Sequence, residues 1–273
     1  MASLSGDLTV TQRLVEAASA YGCRPALVAR HPEQPYSFAE LASTILRAAA
    51  GLAWRGLRSQ DVVGVYVPDA VSYVLAVHAI RAAGGVPSPI GAASTIATMA
   101  GQLTDCGARL LVTADPLVPA ALSAADGSRV RQVISFDEAP GTVPFWSLLS
   151  RGLRPPAAAG PADLGLMPYV ARPGGGLQAT PVTHAQLAAE LARLAAPAAV
   201  SSSDVVLAAP PDGCAREYTV LLDLALLQGA TVVAAPADAL PDAALRYGGT
   251  AAIVPAGAAF PAGLPVRPVT VAC

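Results

Sequence analysis

Short apolar runs alternate with helix-length amphipathic segments along almost the whole chain, and this alternation limits the possible folds more than any other feature. The clearest strand-like runs occupy residues 62–67, 86–90, 110–113, 205–209 and 231–235. Helical patterns such as residues 70–83 and 216–227 lie between them. Such alternation is typical of βαβ units, in which helices cover a parallel sheet. The sequence therefore predicts an α/β fold with largely parallel sheets covered by helices.

The best candidate for a domain boundary is the segment 151–163, which holds three prolines among alanines. Proline-rich stretches of this kind are typical of linkers. We therefore predict a first α/β subdomain over residues 1–160 and a second over residues 161–273. The second begins with a strand at residues 164–170, followed by a glycine-rich loop and a helix that starts at His184.

Composition excludes several classes of function. Of the 273 residues, 53% are hydrophobic and 13% charged, against about 25% charged in ordinary soluble domains. The 17 basic and 19 acidic side chains leave a net charge of -2, so we predict no nucleic-acid partner. All 17 basic residues are arginines. Chemistry that needs a lysine Schiff base, general base or phosphate clamp is therefore excluded for this sequence.

Neither a membrane nor a metal is expected as a partner. The uncharged runs 82–104 and 247–266 are interrupted by glycine and proline, which argues against a transmembrane helix. The first ten residues lack the pattern of a signal peptide, so we expect a cytoplasmic protein. The cysteines lack metal-binding spacing, and in the cytoplasm we expect free thiols. They are Cys23, Cys106, Cys214 and Cys273.

The glycine-rich loop lies between a predicted strand and a predicted helix, where backbone N–H groups can face a phosphate. Its centre is Gly174, Gly175 and Gly176, and Arg172 is its one charged residue. A turn without a ligand is the simpler interpretation of three glycines in a glycine-rich chain. Arg172 is equally consistent with attraction of a carboxylate or phosphate and with an exposed loop residue.

Several segments together carry a family pattern in the family's order. They are YSFAEL at 36–41, AAAGL at 48–52, VPD at 67–69, AAGGV at 82–86, ARLLVT at 108–113, FDE at 136–138 and LLQGATVV at 226–233. With these segments the chain resembles adenylate-forming enzymes of the acyl-CoA ligase type, coumarate:CoA ligase in particular. The resemblance covers nearly the whole chain and implies the fold of the N-terminal part of such a ligase.

The departures from that family concern its use of ATP. The resemblance implies that residues 170–179 match a Ser- and Thr-rich loop that holds the ATP phosphates, with a lysine in the place of Gln178. Residues 170–173 here are Val, Ala, Arg and Pro. The chain also ends at Cys273, about where the family continues into its adenine-binding motifs and C-terminal domain. We therefore expect a truncated, degenerate ligase that needs no cofactor.

Candidate site residues cluster near a strand-to-helix turn. Cys214 falls where the family carries an aromatic or histidine beside its acyl pocket, and Arg216, Glu217 and Tyr218 follow within four positions. With Tyr169 they are expected to line a pocket between the subdomains. A helix N-terminus lowers a thiol pKa, which makes Cys214 a candidate nucleophile. The alternative is that Cys214 packs as a small apolar group while Arg216 and Glu217 face solvent.

Histidine offers one further candidate. His184 is a candidate base if its ring turns toward a cavity, and is otherwise a surface or capping residue. His78 and His31 are interpreted as structural. The candidate catalytic residues are therefore Cys214, His184 and Glu217, and no Ser-His-Asp or metal-ligand set is present in the pattern.

Three functional hypotheses follow. The first is an ATP-independent rearrangement or cyclisation of an acyl or polyketide intermediate in bacterial secondary metabolism. The second is a non-catalytic protein that binds an acyl substrate, carrier or partner enzyme. The third, one half of a split ligase, is disfavoured because the altered loop lies in this half. Residues 266–273, which carry a single charge, Arg267, are expected to form an edge strand, so a homodimer or a partner protein is expected to cover it.

Overall fold

A computed structural model describes residues 8–29, 35–150, 159–209, 214–255 and 266–271. Eight α-helices lie within these ranges: α1 (Val10–Tyr21), α2 (Phe38–Trp54), α3 (Ala70–Ala82), α4 (Ile96–Asp105), α5 (Val118–Asp126), α6 (His184–Ala198), α7 (Ala215–Leu227) and α8 (Leu240–Tyr247). Two 3₁₀ turns cover Phe145–Ser150 and Ala237–Ala239.

The described strands are short, as is typical of βαβ units. They are β1 (Pro25–Val28), β2 (Tyr36–Ser37), β3 (Val62–Tyr66), β4 (Val86–Pro89), β5 (Leu110–Thr113), β6 (Gln132–Ser135), β7 (Val143–Pro144), β8 (Leu164–Leu166), β9 (Tyr169–Ala171), β10 (Leu177–Ala179), β11 (Val182–Thr183), β12 (Val205–Ala208), β13 (Thr231–Ala234), β14 (Ala251–Pro255) and β15 (Arg267–Val271).

The chain divides into two compact units that are not consecutive in sequence. Unit 1 contains the described residues of Met1–Ala42, Asp69–Val71 and Ala185–Cys273, and unit 2 those of Ser43–Pro68 and Ser72–His184. The predicted boundary between residues 160 and 161 differs from this division. The predicted boundary relied on the proline-rich segment, of which residues 151–158 lie outside the described part. Composition gave no sign that β1 pairs with β13, a strand about 200 residues later.

Unit 2 is built on a parallel sheet in the order β4-β3-β5-β6-β7. Every neighbouring pair in this sheet is parallel. Helices α4 and α5 pack on it through an apolar core that includes Met99, Leu103, Leu111, Ala121 and Val133. The strands are largely apolar because both faces of a covered parallel sheet are buried, and Ser88, Thr113 and Ser135 are their buried polar residues.

Unit 1 contains a six-stranded sheet in the order β15-β14-β12-β13-β1-β2. Its pairs are parallel except the short edge strand β2, which runs antiparallel to β1. Helix α8 covers one part of the sheet, where Leu240 and Ala244 pack against Leu207 and Val233. The predicted α/β class with largely parallel sheets is confirmed in both units.

Local boundaries differ from the predicted ones in a few places. The predicted strand 164–170 is two strands, β8 and β9, because the chain turns out of one pair and into another. Helix α4 is capped by Thr95, whose hydroxyl accepts from the Thr98 N–H. Helix α5 was missed because its start, Leu117, has no capping side chain. Among the described helices none combines the length and apolarity needed to span a bilayer.

Candidate functional site

The glycine-rich loop is the tip of a β-hairpin in unit 2. Strands β9 and β10 pair antiparallel, with Tyr169 opposite Ala179 and Ala171 opposite Leu177. Gly174, Gly175 and Gly176 form the turn with φ of 95°, 100° and 83°, a region that only glycine adopts readily. We call residues 169–180 the glycine hairpin.

The glycine hairpin is closed by its own hydrogen bonds. The Arg172 N–H donates to the Gly176 oxygen at 3.0 Å, and the Gly175 N–H donates to the Arg172 oxygen at 3.1 Å. The Arg172 side chain donates from Nε to Gln178 Oε1 at 3.3 Å. Two backbone donors and one guanidinium donor of the predicted phosphate loop are therefore already engaged within the loop.

Tyr169 leads into the hairpin and contacts the end of α4. Its hydroxyl donates to Asp105 Oδ2 at 2.5 Å. Burial raises the pKa of the Tyr169 phenol, and the hydrogen bond to Asp105 raises it further. The phenol is therefore a protonated donor at neutral pH and is no base.

The buried amide of Gln102 lies one turn before Asp105 in α4 and anchors that helix to β4. Gln102 Nε2 donates to Ser88 Oγ at 3.1 Å and to the Pro89 oxygen at 3.0 Å, and both side chains are buried. Cys106, a free thiol, follows Asp105, and burial raises its pKa. Sequence reasoning missed Asp105, Ser88 and Gln102, because their separation from Tyr169 along the chain gives no signal of contact.

Cys214 is disulfide-bonded, so the expected free thiol is wrong for this residue. The spacing of the cysteines excluded only local metal-binding motifs. It could not exclude a disulfide between cysteines that the fold brings together. Cys214 precedes α7 as its N-cap and is 6% exposed. Cys23 and Cys106 are free as expected, and Cys273 lies outside the described residues.

The other candidates near α7 belong to unit 1. Arg216 lies beside Glu190 of α6, with Nη2 2.6 Å and Nε 2.8 Å from Oε2. Tyr218 is 1% exposed, and Glu217 is half-buried in the first turn of α7. Arg216 is therefore paired rather than simply solvated. Glu190 was missed because nothing in the sequence distinguishes it from other acidic residues of an amphipathic helix.

His184 was expected to be a surface or capping residue, and its 2% exposure contradicts the surface position. It is the first residue of α6, and its N–H donates to the Asp163 oxygen. Its ring lies against Gly165, where the missing side chain leaves room for it. A small residue on the neighbouring strand, which the sequence does show, is what permits this burial.

The predicted candidates thus fall into two groups. Tyr169, Arg172, Gln178 and His184 belong to unit 2, and Cys214, Arg216, Glu217 and Tyr218 belong to unit 1. His31 lies outside the described residues. Within the described ranges, no group of three or more His, Cys, Asp or Glu side chains is arranged to hold a metal ion.

Comparisons with known proteins identify relatives of this arrangement. The chain is 28% identical over 193 residues to the 4-coumarate–CoA ligase-like protein 9 of Oryza sativa subsp. japonica, which covers 67% of this chain and 34% of that protein. It is 38% identical over 80 residues to tyrocidine synthase 3 of Brevibacillus parabrevis, covering 29% of this chain and 1% of that protein.

Solved structures show the same fold at low sequence identity. MbtA of Mycobacterium smegmatis has a TM-score of 0.83 at 24% identity. The match covers 93% of this chain and 49% of the MbtA chain. A benzoate CoA ligase of Burkholderia xenovorans has a TM-score of 0.80 at 20% identity. That match covers 96% of this chain and 55% of the benzoate CoA ligase chain.

The chain spans about a third of the length of the coumarate ligase-like relative and about half of the two solved chains. The family described as AMP-binding enzyme matches residues 14–255. That match runs through both units and through the glycine hairpin. The chain belongs to the family of AMP-binding enzymes.

Proposed function

We propose that this chain binds a small acyl or polyketide intermediate and does not activate it with ATP. The observation that supports the proposal is the closure of the glycine hairpin by its own hydrogen bonds. A loop that cradles phosphates must present unpaired N–H groups to them. In the glycine hairpin the N–H groups of Arg172 and Gly175 already donate to carbonyl oxygens of the same turn.

The side chains of the hairpin support the same proposal. Pro173 has no N–H to donate, and Gln178 stands where the resemblance to acyl-CoA ligases implies a lysine. Removal of one preorganised donor to a developing charge commonly lowers a rate by about 10² to 10³. Several such donors are changed here at once, so we expect no measurable adenylation.

Binding is favoured over catalysis by the state of the candidate catalytic groups. A disulfide-bonded Cys214 supplies no thiolate. His184 is enclosed beside Gly165, and Arg216 is paired with Glu190. A non-catalytic role in holding an acyl substrate, its carrier or a partner enzyme therefore agrees best with the described side chains.

The second candidate is an ATP-independent rearrangement or cyclisation of the same class of intermediate, in a bacterial secondary-metabolite pathway. Glu217 supports it, because its half-buried carboxylate in the first turn of α7 is suited to moving a proton. In this candidate Glu217 is the general base, and Arg216 and Tyr218 of the same helix position the ligand.

The deciding measurement is calorimetry with Mg²⁺–ATP, paired with pyrophosphate exchange on benzoate, hydroxycinnamate and fatty acids. We expect neither binding at micromolar ATP nor exchange. Thermal shift with the same acids and their pantetheine thioesters should raise the melting temperature, because a ligand at 100 times its Kd stabilises by about 2.7 kcal/mol. Micromolar ATP affinity or pyrophosphate exchange would refute the proposal.

The two candidates differ in the response of Glu217→Gln. Conversion of a bound thioester that is lost in this variant, with binding retained, would favour catalysis. Binding without conversion in either protein would favour the binding role. Exchange that appears only after addition of a separate C-terminal ligase domain would favour the split ligase.

Self-association is a separate part of the proposal. Among the strands that the structure describes, β15 lies at the edge of the unit 1 sheet, and exposed edges are commonly paired or protected. We propose a homodimer or a complex with a partner protein. Light scattering that finds a stable monomer at micromolar concentration would refute the homodimer.

A further inference from the structure

Within the described part of the chain, no residue lies close to the three glycines at the tip of the glycine hairpin. Residues 170–178 are all exposed. A Cβ atom added at Gly174, Gly175 or Gly176 would meet no atom of the described residues within 4 Å. An isolated two-stranded hairpin is at best marginally stable in water. The order of this hairpin must therefore come from its base.

Two sets of hydrogen bonds lie at the base of the hairpin. The Thr180 N–H and hydroxyl both donate to the Pro168 oxygen, at 2.8 and 3.0 Å, and so join one end of the hairpin to the other. The Tyr169 hydroxyl instead donates to Asp105 in the last turn of α4, 64 residues away. The Tyr169–Asp105 bond thus connects the hairpin to a different element.

Asp105 is held on a rigid support. Helix α4 is capped at its start by Thr95 and is fixed near its end by the buried Gln102 amide, which donates to Ser88 and Pro89 on β4. Hydrogen bonds to an ionised carboxylate are short and stronger than neutral ones. A 2.5 Å bond from a phenol to a carboxylate on this support is suited to restrain a flexible element.

We propose that Tyr169 and Asp105 form a latch that holds the glycine hairpin against α4 and fixes where Arg172 is presented. Both are positioning residues, because their bond lies at the base of the hairpin whereas Arg172 follows the end of β9 in the turn. The latch concerns the hairpin invoked in the proposed function, but it is a property of the ligand-free chain. Its test therefore needs neither ATP nor an acyl ligand.

The test is amide hydrogen exchange of the ligand-free protein, comparing Tyr169→Phe and Asp105→Ala with the unsubstituted chain. Each variant deletes the same bond, so we expect about a tenfold faster exchange in residues 170–178, with unchanged exchange in β3 and β5. The double variant should exchange no faster than the faster single variant.

Two matched controls remove comparable groups elsewhere in unit 2. Tyr66→Phe deletes a phenol hydroxyl that donates to the Ala92 oxygen at 3.2 Å. Asp126→Ala deletes an exposed carboxylate from the last position of α5, as Asp105 occupies the last position of α4. Neither control should alter exchange in the hairpin. Unchanged hairpin exchange in Tyr169→Phe and Asp105→Ala, or an equal rise throughout unit 2, would overturn the latch.

Discussion

Gly165 and His184 lie so close together that a Cβ atom on Gly165 would be 2.7 Å from Nδ1 and 2.8 Å from Cε1 of the imidazole ring. The ring is buried, and the Gly165 oxygen accepts a hydrogen bond from Arg81 Nε at 2.7 Å. Neither the ring nor the backbone can therefore shift easily. Position 165 requires glycine for the sake of its neighbour rather than for its own backbone conformation.

Gly165→Ala is expected to destabilise unit 2 by about 1 to 3 kcal/mol, because overpacking of a buried site forces its neighbours to move. Urea unfolding would measure the loss. Gly101→Ala is the matched control, since Gly101 lies within α4 with nothing within 4 Å of its Cβ position. It should be neutral or stabilise by up to about 1 kcal/mol. Equal effects of the two substitutions would contradict the close contact.

A row of hydroxyl groups ends three neighbouring strands of unit 2, because Tyr66, Thr113 and Ser135 are in register. Thr113 Oγ1 is buried without a hydrogen-bond partner among the described residues, whereas Ser135 Oγ accepts from the Asp137 N–H. Thr113→Val should therefore leave stability unchanged or raise it, and Ser135→Ala should lower it by about 1 kcal/mol. Thermal unfolding of both variants measures the two changes in stability. A larger loss in Thr113→Val than in Ser135→Ala would contradict the prediction.

Asp204 links the beginnings of three strands of unit 1. Its Oδ1 accepts from the Thr250 hydroxyl at 2.7 Å, its Oδ2 accepts from the Ser201 N–H at 2.7 Å, and Arg267 lies 3.6 Å away. Burial alone would raise the pKa of Asp204, but the hydrogen bonds from Thr250 and Ser201 outweigh it and place the pKa below its ordinary value.

The lowered pKa of Asp204 gives a pH dependence with a definite sign. A carboxyl whose folded pKa lies below its unfolded pKa contributes stability at pH above about 3.9, and that contribution is lost as the pH falls through the folded value. We expect Asp204→Asn to cost about 2 kcal/mol at pH 7 and progressively less below pH 4. A cost that stays constant from pH 7 to pH 3 would show that the charge has no role.

The three described cysteines should react differently with a thiol reagent such as iodoacetamide. Cys23 is exposed and free, while Cys106 is half-buried with a raised pKa, and only the thiolate reacts. Mass spectrometry at pH 8 should find Cys23 labelled first and Cys106 at least about tenfold more slowly. Cys214 should be labelled only after reduction, since it is disulfide-bonded. Labelling of Cys214 in the unreduced protein would restore it as a candidate nucleophile.

Gln178→Lys should not restore use of ATP. The substitution replaces the acceptor of the Arg172 Nε bond with a cation beside the guanidinium, and the backbone donors of Arg172 and Gly175 stay engaged in the turn. Pyrophosphate exchange should therefore remain undetectable. Exchange in this single variant would mean that the lysine alone had been missing.

The alternation of apolar runs with helices was enough to predict the fold class, because strand and helix periodicity is local. The pairing of β1 with β13 was not predictable in that way, since Leu27 and Val232 are in register without any local signal that joins them. The failure at α5 has a different cause. Its first residues lack a capping side chain and include Pro119, so the usual pattern of a helix start is missing.

The candidate site was predicted in part for a similar reason. Tyr169 and Arg172 lie next to the glycines, and their place in the hairpin follows from sequence order. Asp105 and Glu190, which contact Tyr169 and Arg216, lie in distant helices, and neither carries a local sequence signal of its partner. Contact between distant residues depends on the tertiary arrangement of the helices, which periodicity does not specify.

The pairing of β1 with β13 also has a consequence for synthesis on the ribosome. Unit 2 lies between residues 43 and 184 and can begin to collapse as soon as that stretch has emerged. Strand β1 is made earlier, yet its partner strand follows about 200 residues later. At about 5 to 20 residues per second, β1 waits roughly 10 to 40 s with an apolar edge unpaired. We expect the nascent chain to be prone to aggregation during this interval, because unpaired strand edges aggregate readily.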